Sequence, residues 1–163
     1  TLIKTKNIEN NKSRIVAGYC WNWNKDEINN TDYHDIRIGD YSISWNLGAK
    51  QTFAIDNSIN EAGCVHSVQG LEFDYIGVII GEDLYYEDDK ICTNFQKHAS
   101  SDPSFKGIKK MYKENRTIAN ELSDTIIKNT YRVLLTRGIK GCYIYCVNKE
   151  LNNYFKEQIN IYK

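Results

Sequence analysis

What this chain does not contain narrows its role before anything it does contain. Nowhere in its 163 residues is there a Gly-x-x-x-x-Gly-Lys-Ser/Thr segment, and no apolar strand ends in paired acidic residues. It therefore lacks both the phosphate-cradling loop and the magnesium-holding carboxylates of a self-sufficient nucleoside-triphosphate hydrolase, and by itself should not hydrolyse ATP. An excess of charge is also missing, since 21 basic and 21 acidic residues give a formal net charge of zero. A sequence-independent nucleic-acid binder usually carries a basic excess, so any strand contact has to come from a local patch or be shared with another domain. No apolar run nears the roughly 20 residues of a membrane-spanning helix, and none of these residues reads as a signal peptide. The five cysteines follow no framework spacing. The expectation is a reducing, cytoplasmic setting with no membrane partner.

With 41% apolar residues the chain can build one domain with an ordinary core. It opens at Thr1 without Met, and residues 1–13 are polar and rich in Asn and Lys, which reads as a linker from a missing N-terminal region. The domain is then expected over residues 14–163, with a first strand over Arg14–Trp21. Alternation of Ile36, Ile38, Tyr41, Ile43 and Trp45 predicts a hairpin turned at Gly39-Asp40, and Gly48 with Phe53–Ile55 a closing loop. A second hairpin is predicted around Glu87-Asp88-Asp89. Those carboxylates fit no calcium-loop spacing, and His34-Asp35 has no third group beside it, so no metal site is expected. Residues 93–116 carry Lys97, His98, Lys106, Lys109, Lys110, Lys113 and Arg116; this basic stretch reads as an insertion or mobile loop, with a solvated face and a strand-contacting patch both open. Cys142 and Cys146 share one face of a strand and suit a core, and Lys149–Lys163 suits an amphipathic helix over the sheet.

The densest chemistry lies in Cys64-Val-His-Ser-Val-Gln-Gly-Leu-Glu-Phe-Asp-Tyr-Ile-Gly-Val-Ile-Ile-Gly81. An apolar run, Ala62–Val65, and an apolar β-branched run, Tyr75–Ile80, flank a polar turn, as in buried parallel strands joined by a working loop. His66, Gln69, Gly70, Glu72 and Asp74 fall between them. A plain connection between core strands is the alternative. Further on, apolar residues from Ile118 to Leu135 recur at three- and four-residue spacing, predicting a helix to about Thr136 that Gly138 and Gly141 stop, followed by a strand Cys142–Val147. Arg137 stands at that junction, where a long cation either crosses a cleft or complements the helix dipole.

Together, Val65-His-Ser-Val-Gln-Gly-Leu-Glu-Phe-Asp74 and Tyr131-Arg-Val-Leu-Leu-Thr-Arg-Gly138 resemble motifs V and VI of superfamily 1 helicases, in the group that includes the UvrD, RecD and Schlafen types. The nearest resemblance is to bacterial helicase-like ATPases with a Schlafen-type second domain. Two departures are Val133 or Leu134, and Gly138, where the family has Ala. The resemblance implies an α/β fold: a RecA-like, P-loop-NTPase-type second domain with a mainly parallel sheet, flanking helices and β-hairpin decorations. It implies that Gly70 and Glu72 approach a nucleotide, with Glu72 accepting from the ribose hydroxyl, and that Arg137 reaches the γ-phosphate as a catalytic finger. His66, Ser67 and Gln69 would face single-stranded DNA or RNA. ATP and Mg²⁺ would be held mainly by the protein's own N-terminal RecA-like domain. Arg137 is expected on the edge formed by the C-terminal ends of the strands, on the same face as Gly70 and Glu72. The function implied is the C-terminal half of an ATP-dependent helicase or translocase; a non-hydrolysing nucleic-acid sensor or scaffold is the alternative.

Overall fold

The computed structural model describes residues 1–48 and 56–162, so the loop expected at Phe53–Ile55 lies outside the described residues. Its eight strands are β1 (Ser13–Ala17), β2 (Ile36–Ile38), β3 (Tyr41–Trp45), β4 (Glu61–Gly63), β5 (Phe73–Ile80), β6 (Leu84–Glu87), β7 (Lys90–Thr93) and β8 (Gly138–Cys146). The helices are α1 (Leu2–Asn10), α2 (Ile108–Glu114), α3 (Arg116–Leu135) and α4 (Lys149–Ile161). Six strands form one sheet in the order β2-β3-β4-β1-β5-β8, parallel throughout except for the β2–β3 hairpin at its edge. The fold is thus α/β, a mostly parallel sheet flanked by helices.

The apolar runs buried on both faces explain this arrangement. Along β5, Ile76, Val78 and Ile80 join Val16, Cys146 and the helix residues Ile127, Tyr131, Leu134 and Leu151 in one cluster. Ile15, Ala17 and Ile79, which point the other way, join Ile3, Ile36, Ile43, Trp45 and Ala62 in a second. Both predicted hairpins form. Gly39 supplies a left-handed turn residue between β2 and β3, and Asp88 and Asp89 take left-handed backbone between β6 and β7, as a two-residue turn matched to strand twist demands.

Several expectations change. Residues read as a linker form α1, whose Ile3 is buried in the second cluster, and the chain leaves the helix through Asn11 in the left-handed region. Buried Arg14 then ties the α1–β1 junction together by donating to the carbonyls of Asn11 (2.9 Å) and Ser13 (2.7 Å). The first strand ends at Ala17, well before Trp21, because the chain turns at Gly18, which lies against the Tyr131 ring. The last strand starts at Gly138, and Gly141 pairs with Tyr75 within it; a bulge between Phe73 and Tyr75 absorbs the mismatch. On α3 the buried residues are Ala119, Ser123, Ile127, Thr130, Tyr131 and Leu134, while Ile118 and Leu122 are exposed. Within residues 93–116, two short 3-10 turns and α2 bury His98, Ala99, Asp102 and Ile108.

Candidate functional site

Because β4 and β5 are parallel and both pair with β1, the segment between them must travel back across the sheet. Gly63 and Val78 are both level with Val16, whereas β5 begins five residues earlier, at Phe73. At about 3.3 Å per residue, residues 64–72 cover roughly 15–20 Å from one sheet edge to the other. Fully buried Val68 anchors the middle of this crossover in the core. The expected site residues are consequently divided between two edges.

At the edge where β5 and β8 begin lie Glu72 and Arg137, with Gly70 two residues before Glu72 on the crossover. The Phe73 N–H donates to the Arg137 carbonyl at 2.9 Å, which places the Glu72 and Arg137 segments side by side. Gly70 has a φ of +76° with open space around it, a conformation that disfavours any side chain. Glu72 is exposed and Arg137 half-buried, with its Nε donating to the Val133 carbonyl at 3.1 Å, one helical turn back. Among the described residues Arg137 has no carboxylate partner. This edge carries the N-terminal ends of the strands. The expectation of C-terminal ends fails because Glu72 and the Thr-Arg pair each come immediately before a strand, and the Phe73–Arg137 bond sets Glu72 and Arg137 side by side. Asp74 stabilises the same region, accepting from Asn10 (2.6 Å) and Lys140 (2.8 Å), and the hydrogen bonds from Lys140 and Asn10 hold its carboxyl below the usual range.

At the opposite edge, His66 is exposed at the start of the crossover. Ser67 is spent on the turn, its hydroxyl accepting from the Cys64 N–H (2.8 Å) and donating to the Cys64 carbonyl (3.0 Å). Gln69 is exposed further along the crossover. Beneath His66 lies a buried chain of polar groups. Tyr131 donates its hydroxyl proton to Asp83 (2.6 Å) and accepts the Gly81 N–H (3.0 Å). Asp83 meets His98 Nδ1 at 2.7 Å, and His98 Nε2 meets Asp102 at 2.8 Å. The other Asp102 oxygen accepts the Ser104 N–H at 2.8 Å and lies 3.7 Å from His66 Nε2.

An imidazole with a carboxylate on each nitrogen is satisfied only when both nitrogens donate, so His98 is an imidazolium. Burial by itself would lower its pKa, but the hydrogen bonds and charges of Asp102 and Asp83 outweigh it and raise it. Burial would likewise raise Asp102, but the bonds from His98 and the Ser104 N–H bring it below the usual carboxylate range. Burial first, and then the Asp83 charge, push the Tyr131 phenol far above its ordinary value, so it stays a donor. Phe105 stacks on His98 at 3.9 Å between ring centroids, and Tyr19 packs against both histidines.

Sequence reasoning did not find this network. His98 stands among lysines and Tyr131 in an apolar helix pattern; the one available signal was the four-residue spacing of His98 and Asp102 just before Pro103. The His34-Asp35 dipeptide is structural, with His34 on Ser42 (2.6 Å) and Asp35 accepting from the Asn24 and Trp45 N–H groups. Among the described residues no group of three or more His, Cys, Asp or Glu is placed to hold a metal ion, and no helix is long and apolar enough to cross a membrane.

Comparison with known proteins yields a match of residues 1–148 to a family model described as the Schlafen group 3 DNA/RNA helicase domain. A curated relative, the uncharacterized protein YPL245W of Saccharomyces cerevisiae, is 29% identical over 154 residues. The match takes in 91% of this chain but spans only 32% of that relative's length. No solved structure matches the chain.

Proposed function

The chain belongs to the Schlafen group 3 DNA/RNA helicase domain family, and we propose that it is the RecA-like second half of an ATP-dependent helicase or translocase of the superfamily 1 type. One observation carries this reading: the Phe73–Arg137 backbone bond brings Glu72 and Arg137 to one edge, with Gly70 two residues upstream, while the crossover begins with His66 at the other. The first edge suits a nucleotide. Gly70 leaves room for a ribose, Glu72 offers an exposed acceptor for its hydroxyl, and Arg137 is a guanidinium without a carboxylate partner among the described residues. Such a cation stabilises the charge that spreads over a transferring phosphoryl group.

The chain has no phosphate loop of its own, so on this reading the triphosphate and Mg²⁺ are held by a first RecA-like domain elsewhere in the protein, and Arg137 completes the site across the cleft. His66 then contacts single-stranded DNA or RNA at the far edge, with Ser67 shaping the turn that presents it and exposed Gln69, beyond Val68 on the crossover, extending the contact along the strand. The test is ATP turnover by the full-length protein with and without single-stranded DNA or RNA, for the unmodified protein and Arg137→Ala. Loss of an arginine finger lowers turnover by about 10³–10⁵ with nucleotide binding retained. Absence of turnover in the unmodified protein under every condition would replace the motor with the non-hydrolysing sensor or scaffold.

A further inference from the structure

A polar cavity of about 660 Å³ opens at the edge where the sheet strands end. Its size falls within the range of sites that take small ligands or single nucleotides. Its wall is assembled from distant parts of the chain: Trp21 from the turn after β1, Arg37 from β2, Glu82 after β5, Lys97 from a 3-10 turn and Lys109 from α2. Apart from His98, whose charge is met by Asp83 and Asp102 behind it, the lining has three cations and one carboxylate, a local positive excess in a protein whose total charge is zero. Lys97 is paired with Glu82 at 2.8 Å, whereas among the described residues Arg37 and Lys109 have no carboxylate within ion-pair distance. Arg37 is also braced, its Nε donating to the His34 carbonyl at 3.2 Å.

The cavity adjoins the strand-facing histidine. His98 lines it and is bonded through Nε2 to Asp102, which is 3.7 Å from His66. The Ala99 N–H donates to the Tyr19 carbonyl at 2.6 Å, fastening the cavity's His98–Ser100 wall to the turn that carries Trp21. Half-buried Trp21 gives a flat apolar surface, and Asn22 and Gln96 give amide donors and acceptors. Cations for a phosphodiester, an indole for a base and amides for its edge are what one nucleotide of a flexible strand requires.

We propose that this cavity is a nucleotide pocket on the single-strand track, where Arg37 and Lys109 hold phosphate and Trp21 stacks a base next to the nucleotide that His66 contacts. The assignment rests on the reading of His66 as a strand contact and extends it across His98. It also separates the basic stretch into parts. Lys97 and Lys109 face the cavity, while Lys110 reaches towards Glu114 (3.9 Å), Arg116 lies over the Tyr112 ring, and Lys106 and Lys113 are outside it.

The experiment measures binding of the full-length protein to fluorescent dT12 and U12 against KCl concentration. Each phosphate contact on a single strand contributes about 0.7 to the slope of log K on log salt. Arg37→Gln and Lys109→Gln should each reduce the slope by about 0.7, and the pair together by about 1.4, with Lys113→Gln unchanged on the same helix. Trp21→Ala should weaken binding about 5- to 100-fold at every salt concentration without altering the slope. Unchanged slopes in both cation variants, with His66→Ala still weakening the complex, would overturn the pocket and leave the His66 reading in place. Equal slope losses for Lys113→Gln and Lys109→Gln would reduce the cavity to a diffuse basic face and also overturn it. Failure of the unmodified protein to bind either oligonucleotide at low salt would overturn the strand contact and the pocket together.

Discussion

Removing one oxygen from the Tyr131 side chain should unsettle the protein about as much as truncating a buried aliphatic side chain. In Tyr131→Phe the ring keeps its packing, but Asp83 loses a 2.6 Å donor and the Gly81 N–H loses its 3.0 Å acceptor. Tyr131 is 2% exposed and Asp83 is fully buried, so neither site opens readily to water. A hydrogen bond to a charged group contributes about 1.5–3 kcal/mol, and a buried donor left alone costs about 1–3 kcal/mol. The two overlap because both concern the same hydroxyl, which puts the loss at about 3 kcal/mol. A domain of this size has a total stability of about 5–15 kcal/mol, so the loss is a substantial fraction of it. With a urea m-value of about 2 kcal/mol per M, the unfolding midpoint should fall by about 1.5 M. Asp83→Asn combined with Tyr131→Phe should be less destabilising than the sum of the single changes, since each removes part of one contact. A midpoint within about 0.3 M of the unmodified protein would refute the reasoning, because the Tyr131–Asp83 bond would then contribute nothing net to the fold.

Two other changes have signs that the structure determines. Glu61 is a buried carboxyl; burial pushes it up to about 7 against the opposing pull of the Leu47 N–H and the Arg14 charge. Between its ordinary 4.5 and about 7 the folded state holds a proton that the unfolded chain has released, so stability falls as pH rises through that window, by about 3 kcal/mol in all. Urea titrations at pH 5 and pH 7.5 should show this fall, and Glu61→Gln should remove most of it; an unchanged pH dependence in the variant would rule Glu61 out as its source. His98 acts in the same direction above 6.5, because its raised folded pKa gives stability that is present in full below that value and lost as pH passes through the folded one. Gly18→Ala would place a Cβ 2.2 Å from the Tyr131 hydroxyl and 2.4 Å from the adjoining ring carbon. It should cost about 3 kcal/mol or more, and Tyr131→Phe should not rescue it, since the ring carbon remains; thermal unfolding of the single and double variants checks this.

Hydrophobic period and turn chemistry are local properties, and they made the parallel core, both hairpins and α3 legible. The β6–β7 turn can be read from Glu87-Asp88-Asp89 because few sequences reverse a strand in two residues. What sequence did not convey was position across the sheet. Residues 64–72 look like a compact loop, yet because β4 and β5 are parallel that loop must run the length of a strand. His66 and Glu72, six positions apart, therefore finish at opposite edges. The helix α1 was hidden for another reason: its buried contact to the core is one residue, Ile3, against a polar background without helical periodicity. The Asp83–His98–Asp102 network depends on residues up to 19 positions apart that meet only after the β6–β7 hairpin folds, and no spacing rule anticipates such a meeting.

On the proposed reading, the division of the crossover between two edges would give a physical form to coupling between nucleotide and strand. A displacement of His66 by an arriving phosphate cannot reach Glu72 through a flexible loop, because Val68 is locked between the sheet and the helices and the packed interior resists small shifts. It can be passed in two ways. The crossover can move as a rigid piece with Val68 as its pivot, or the load can travel through Asp102, His98 and Asp83 to Tyr131, six residues before Arg137 on the same stretch of chain. Once a load crosses the 3.7 Å between His66 and Asp102, the second route consists of short bonds to charged groups and so yields little along its length, whereas the first depends on repacking apolar contacts. On the proposed reading, strand contact is therefore felt at Arg137 chiefly through α3, and the arginine half of the nucleotide edge responds to the strand more strongly than the Glu72 half.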